Sequence, residues 1–209
     1  MGLLISFEGI DGCGKSTQIN LLSEKLNMKN INNFVFREPG DTLLSDKVRN
    51  ILLDKSNDFC SESEMLLFLS ARSQLVREKI IPNYTKNNVI LLDRFIDSTL
   101  AYQGYGRNLD KDVINKLNQF ATNELTPDLT FVFHIDPKVC IDRINKKNMD
   151  RMESSGYNFI EKVSKGYLDI VLKNPDRCKV IDCTDKEILT IHNEIIDIYN
   201  VYCGKDQSL

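Results

Sequence analysis

Eight residues carry the chemistry most open to reading, Gly9-Ile10-Asp11-Gly12-Cys13-Gly14-Lys15-Ser16. They fit the pattern G-x-x-x-x-G-K-[ST] at every fixed position. Glycines at these places let the backbone curl so that successive N–H groups face phosphate oxygens. A helix start just behind them adds partial positive charge. Lys15 is expected to reach the β- and γ-phosphates of a nucleotide, and the Ser16 hydroxyl to ligate Mg²⁺. With no nucleotide bound, Lys15 is expected to stand exposed.

Other residues suit the same chemistry. Asp93 ends an apolar run, Asn88–Asp93, where a carboxylate can approach Mg²⁺ directly or through water; a cap is the alternative. Arg94 follows at once, and a guanidinium fork suits a phosphate. Phe68 and Arg72 stand four apart and share a helix face. Phe68 could stack on a ring. Arg72 needs acceptors, from a nucleobase edge or from a carboxylate on a neighbouring element, and the sequence alone leans to the second. Arg143, Lys146, Lys147 and Arg151 lie in a polar stretch that could fold over a triphosphate.

These residues need a frame. Strands are expected at Leu3–Phe7, Asn33–Arg37, Asn88–Asp93, Asp128–Ile135 and Cys178–Asp182. Helical spacing predicts helices over 17–26, 44–53, 62–81, 111–123, 137–147, 157–172 and 187–202. Ser61 and Glu64 read as a capping box, and Pro82 as a helix stop. Residues 97–108, rich in Ser, Thr, Gly and Tyr, are given no element. Alternating strands and helices predict an α/β fold, a five-stranded parallel sheet with helices on both faces. Ligands then gather at the carboxyl ends of the strands.

Composition narrows the function. With 209 residues, 42% hydrophobic and 27% charged, the chain suits a single domain over 1–209 with a mobile lid around 143–156. A net charge of −3 gives no basic field for nucleic acid or an anionic membrane. No run reaches the roughly 18 apolar residues of a membrane span. Six cysteines without C-x-x-C, and only two histidines, disfavour a zinc site and a disulfide framework. Reduced thiols in the cytoplasm are the expectation.

The order phosphate loop, Arg37-Glu38-Pro39-Gly40, Glu64 through Arg72, Asp93-Arg94-Phe95, Ala101-Tyr102-Gln103-Gly104 and Asp150-Arg151 resembles bacterial thymidylate kinases over nearly the whole chain. The stretch from Asp93 to Arg107 is its most specific part. The resemblance implies Mg²⁺-dependent transfer from ATP to dTMP. It implies ATP contacts from Gly9, Ile10, Asp11, Gly12, Cys13, Gly14, Lys15, Ser16, Thr17 and Arg143. On the acceptor side, Asp11 would sit near the deoxyribose and its phosphate, Arg49 and Arg94 would hold the phosphate, and Arg37 would be a further substrate contact. Phe68 would stack on thymine, Arg72 would reach O4, Thr99 and Gln103 would meet the base edge, and Tyr102 would crowd a ribose 2′-OH. One branch of the family keeps a basic residue in the loop where this chain has Gly12. The glycine branch uses a lid arginine, a role Arg151 fits. Lys15, Arg94 and Arg151 are thus the expected catalytic set, with Ser16 and Asp93 for the metal. A homodimer is also implied. Asp41 departs from the family, which has a second glycine there.

Competing readings are a kinase for another nucleotide or a deoxynucleoside, a GTP-controlled switch, and an ATP-dependent motor. The nearest guanine-type motifs, Asn115-Lys116-Leu117-Asn118 and Asn145-Lys146-Lys147-Asn148, lack the final aspartate, which disfavours the switch.

Overall fold

Strands β1 (Leu3–Gly9), β2 (Asn33–Arg37), β3 (Val89–Asp93), β4 (Leu129–His134) and β5 (Cys178–Asp182) form one parallel sheet in the computed structural model, in the order β2-β3-β1-β4-β5. The structure describes residues 2–144, 150–152, 155–204 and 209. β1, β3 and β4 are near-continuous apolar runs, as strands covered on both faces must be. Side chains alternate between those faces. Ile5, Phe7, Leu91 and Phe131 pack against Ile19, Leu22 and Leu26 on one side. Leu4, Ile90 and Leu92 meet Leu75, Val76 and Ile80 on the other. Truncating one of these, Leu91→Ala for example, would cost about 2–5 kcal/mol.

The helices are α1 (Lys15–Met28), α2 (Leu43–Leu53), α3 (Ser61–Leu75), α4 (Ile81–Asn83), α5 (Ile96–Thr99), α6 (Lys111–Thr122), α7 (Pro137–Ile144), α8 (Tyr157–Lys173) and α9 (Ile188–Cys203). None of the described helices is long and apolar enough to cross a membrane. π-helical turns at Val76–Ile80 and Leu100–Gly106 continue α3 and α5. The stretch 97–108, given no element from sequence, is therefore mostly helical. Its small and aromatic residues let it pack closely on α8: a Cβ at Gly106 would meet Phe159 at 2.6 Å, and one at Gly166 would meet Tyr105 at 2.7 Å.

Two terminal signals read differently in the fold. Pro82 lies just inside the end of the continuous helical run, which closes at Asn83, and not just beyond it. Ser61 does not cap α3. Cys60 takes that position, its Sγ accepting from Ser63 N at 3.4 Å, and Glu64 turns inward.

The sheet order sets the site. β1 lies at the centre, and Phe7 pairs with Asp93 across β3. The turn leaving β1 and the turn leaving β3 therefore emerge side by side, at the switch point of the sheet.

Candidate active site

The loop from Gly9 to Ser16 joins β1 to α1. Gly9 has φ 139°, and a Cβ there would meet Phe133 O at 2.7 Å, so only glycine fits. Lys15 is not exposed. It is 6% accessible, and its ammonium curls onto the loop, donating to Gly9 O and Ile10 O at 3.1 Å each. A cation surrounded by inward-facing N–H groups takes the nearest carbonyls as partners when no phosphate is there. Ser16 Oγ donates to Asp93 Oδ2 at 2.8 Å. Ser16 and Thr17 face solvent, and Cys13 is buried beneath the loop.

Arg94 follows Asp93 in the left-handed region, φ 74°. Non-glycine residues take that conformation only where the surroundings fix it. Here its N–H donates to Phe7 O at 3.0 Å, and the next amide, Phe95 N, donates to Glu8 Oε1 at 2.7 Å. The turn aims the guanidinium back over the loop. Nη1 donates to Gly9 O at 2.9 Å, and Nη2 to Asp11 Oδ1 at 2.6 Å and Tyr102 OH at 3.2 Å. Burial alone would raise the Asp11 carboxyl, but Arg94 and Lys15 outweigh it and hold it at about 2.

Beside this group opens a cleft with both charged and apolar residues on its walls. Asp11, Arg49, Arg94 and Tyr102 line it, together with Phe68, Arg72, Thr99 and Gln103. Arg49 donates to Pro39 O at 2.9 Å. Burial, then the nearby Arg37 and Arg94, lower its pKa, so the group is short of negative charge. Arg37 itself is exposed, at the end of β2. Asp41 stands in the left-handed region, φ 65°, which explains the glycine that the family resemblance implies there. Its carboxylate offsets the strain by accepting from Arg37 N at 2.6 Å.

Arg72 has its carboxylate and its place in the cleft together. It is 2% accessible. Nε and Nη2 donate to Glu38 Oε2 at 2.8 and 2.6 Å, and Nη2 also to Phe95 O at 2.8 Å. Nη1 donates to Thr99 Oγ1 at 2.7 Å and Asn118 Oδ1 at 2.6 Å. All five N–H groups of the fork are thus engaged by protein atoms.

The arginines of the expected lid separate. Arg143, at the end of α7, donates to Gly12 O at 3.1 Å and so lies on the phosphate loop. Arg151 is held elsewhere. Its Nη1 pairs with Glu64 Oε2 at 2.7 Å, Nε donates to Leu52 O at 2.7 Å, and the guanidinium covers Phe59 at 4.8 Å. The sequence puts Arg151 on the transferring phosphoryl group; the structure ties it between α2 and α3, because a buried carboxylate awaits it there. Lys146 and Lys147 lie outside the described residues, as does part of the stretch 143–156.

Sequence reasoning missed the layer behind these groups. Glu8 is fully buried and accepts from Phe95 N, Ser98 Oγ and Tyr167 OH. Burial, then the charge of Asp97, push its carboxyl up to about 7. A carboxylate inside the apolar run of β1 was the available signal. Asn118 and Tyr167, from distant helices, gave none.

A family model described as thymidylate kinase matches residues 7–195. The chain is 44% identical over 201 residues to a thymidylate kinase of Thermoanaerobacter sp. (strain X514), covering 96% of this chain and 98% of that one. It is 45% identical over 196 residues to one from Thermosipho africanus (strain TCF52B), covering 94% and 96%. Among solved structures, a thymidylate kinase from Ehrlichia chaffeensis superposes with a TM-score of 0.78 at 38% identity, covering 96% of this chain and all of that one.

Proposed function

The chain belongs to the thymidylate kinase family, and from that premise we propose how its residues carry out the transfer. It phosphorylates dTMP to dTDP in an ATP-dependent transfer, a step toward dTTP. The observation that carries the proposal is Arg94. One guanidinium touches the phosphate loop through Gly9 O and the acceptor cleft through Asp11 and Tyr102, so it can hold both reacting phosphates.

Loop residues 9–16 and Thr17 hold the ATP phosphates, with Lys15 leaving its carbonyls for phosphate oxygens and Arg143 covering the loop from α7. Arg49, Arg94 and Arg37 hold the dTMP phosphate. Asp11 and Tyr102 bound the sugar, and Phe68 stacks on the base. Transfer needs no general base, because a phosphate monoester with a second pKa near ~6 is already ionised at neutral pH. Neither histidine lines the cleft. Catalysis is positioning and charge neutralisation by Lys15 and Arg94. Arg151 joins them only if it leaves Glu64.

A Mg²⁺ ion fits Ser16 and Asp93. Both offer hard oxygens 2.8 Å apart beside the loop, and Mg²⁺ commonly takes one or two such groups plus substrate phosphates and water. Bound there, it would neutralise charge on the transferring phosphoryl group. No cluster of three carboxylate, thiol or imidazole groups exists among the described residues, so the site is not a protein-only cage. A homodimer is supported by α2, α3 and α6, neighbours that leave Ile51, Leu66, Val113 and Phe120 exposed. Six free thiols suit the reducing cytoplasm.

The base test is kcat/KM for three deoxynucleotides. Arg72 reads O4 by sharing the Nη1–H now on Thr99, a residue that itself lines the cleft. Cytosine offers an amine there, and unpaired buried donors cost roughly 1–3 kcal/mol each. Uracil loses only a methyl, about 0.8 kcal/mol. The expected order is dTMP, then dUMP, then dCMP. Equal use of dCMP and dTMP would sink this reading of the cleft.

A further inference from the structure

Glu64 is buried at 2% and lies behind the cleft, not on its wall. Oε1 accepts from Gln103 Nε2 at 2.9 Å and Arg107 Nε at 3.2 Å. Oε2 accepts from Arg107 Nη2 at 3.1 Å and Arg151 Nη1 at 2.7 Å. Two guanidinium groups on one carboxylate keep it ionised, and an ionised carboxylate only accepts. Only the amide nitrogen of Gln103 can face it. Which way an amide points is usually open to choice; here the chemistry of its partner decides it.

The consequence lies on the other side of Gln103. That residue lines the cleft, its nitrogen is committed to Glu64, and among the described residues Oε1 has no protein donor and is not sealed from the cleft. The cleft therefore meets an acceptor at this position. Thymine and uracil carry an N–H at ring N3. Cytosine carries a bare nitrogen lone pair there, which an acceptor repels.

We propose that Glu64, without touching substrate, is a positioning residue that locks the Gln103 amide with its oxygen toward the cleft, so that the site takes imide pyrimidines and refuses cytosine. This rests on the reading of the cleft as the base site. Selectivity then has two independent readers, Arg72 at O4 and Gln103 at N3. Arg151, by neutralising Glu64, ties the far end of the polar stretch to base reading.

Glu64→Gln tests it with little change of shape. The Oε2 position meets both guanidinium groups and the Oε1 position only Arg107 Nε, at 3.2 Å, so the new amide keeps its oxygen at Oε2. That NH₂ then faces Gln103, whose own amide must turn over and present nitrogen to the cleft. The dTMP/dCMP ratio of kcat/KM should fall at least tenfold. Any loss through misplaced arginines affects both nucleotides alike and leaves the ratio alone. Adding Gln103→Ala should abolish the effect of Glu64→Gln on the ratio. A wild-type enzyme that does not discriminate defeats the reading of the cleft. A discriminating wild type whose ratio survives Glu64→Gln, or falls equally without Gln103, defeats the role of Glu64. Should the variant not fold, wild-type protein with ¹⁵N-labelled glutamine decides. The Gln103 amide protons should stay bonded to Glu64 when dTMP binds; a hydrogen bond from them to the base overturns the proposal.

Discussion

Lys15 shows how far one residue's role depends on what surrounds it. Its motif assigns it to phosphate, yet in the fold it neutralises the carbonyls of Gly9 and Ile10. Lys15→Ala should cut turnover by on the order of 10²–10³-fold, as loss of one preorganised cationic donor does. Gly9 O keeps its bond from Arg94, so the stability cost is that of leaving Ile10 O without a donor, about 1–3 kcal/mol. Near-normal activity in a folded Lys15→Ala protein would falsify the phosphate-loop assignment. Arg72 teaches the reverse lesson. Its removal would leave Glu38 buried without its partner, at about 3–5 kcal/mol, so Arg72→Lys is the cleaner probe of base reading. That variant keeps a charge on Glu38 and loses the fork, and the dTMP/dCMP ratio should fall. An unchanged ratio would move the reading of O4 to Thr99.

At the scale of elements, α7 and the segment 150–152 carry Arg143 and Arg151 to different places. Arg143 sits on the phosphate loop. Arg151 joins Leu52 O of α2 to Glu64 of α3. Arg143→Ala should therefore lower kcat, whereas Arg151→Ala should raise KM for dTMP more than it lowers kcat. These are the patterns of a group acting mainly in the transition state and of one supporting the binding cleft. Steady-state kinetics in both substrates separate them. A large kcat loss with unchanged dTMP affinity in Arg151→Ala would mean that Arg151 leaves Glu64 during turnover and acts on the phosphoryl group. The capping-box reading of Ser61 and Glu64 went astray for a related reason. A glutamate three residues into a helix can turn back to the cap or inward, and here Arg107, Arg151 and Gln103 offer more than one backbone N–H does.

At the scale of the molecule, Glu8 joins the central strand to the turn that aims Arg94. Around its carboxyl stand Asp97, which raises its pKa, and Arg94 and Ser98, which lower it; burial is the largest effect. The folded chain holds this proton more tightly than the unfolded chain. The stabilisation is complete below about 4.5 and is lost as pH rises through about 7. The full difference is at most about 3 kcal/mol. Urea midpoints should fall between pH 5 and 8 in the wild type, and Glu8→Gln should flatten that fall. The same slope in both proteins would assign the dependence to another group.

The sequence by itself determined the sheet, the phosphate loop and the partners of the loop on adjacent strand ends. Apolar runs and local spacing are properties of neighbours along the chain, and parallel crossovers leave few ways to assemble them. Asp93 and Ser16 could be paired in advance for that reason. The partners of Arg72, Glu64, Glu8 and Arg151 were decided only by the tertiary structure. Each is a charged group with a partner 34 or more residues away, as with Arg72 and Glu38, or Glu8 and the Ser98 hydroxyl. Burying a charge requires a partner, but nothing local says which one. The choice follows from which helices the sheet brings together, and with it the direction in which the Gln103 amide faces the cleft.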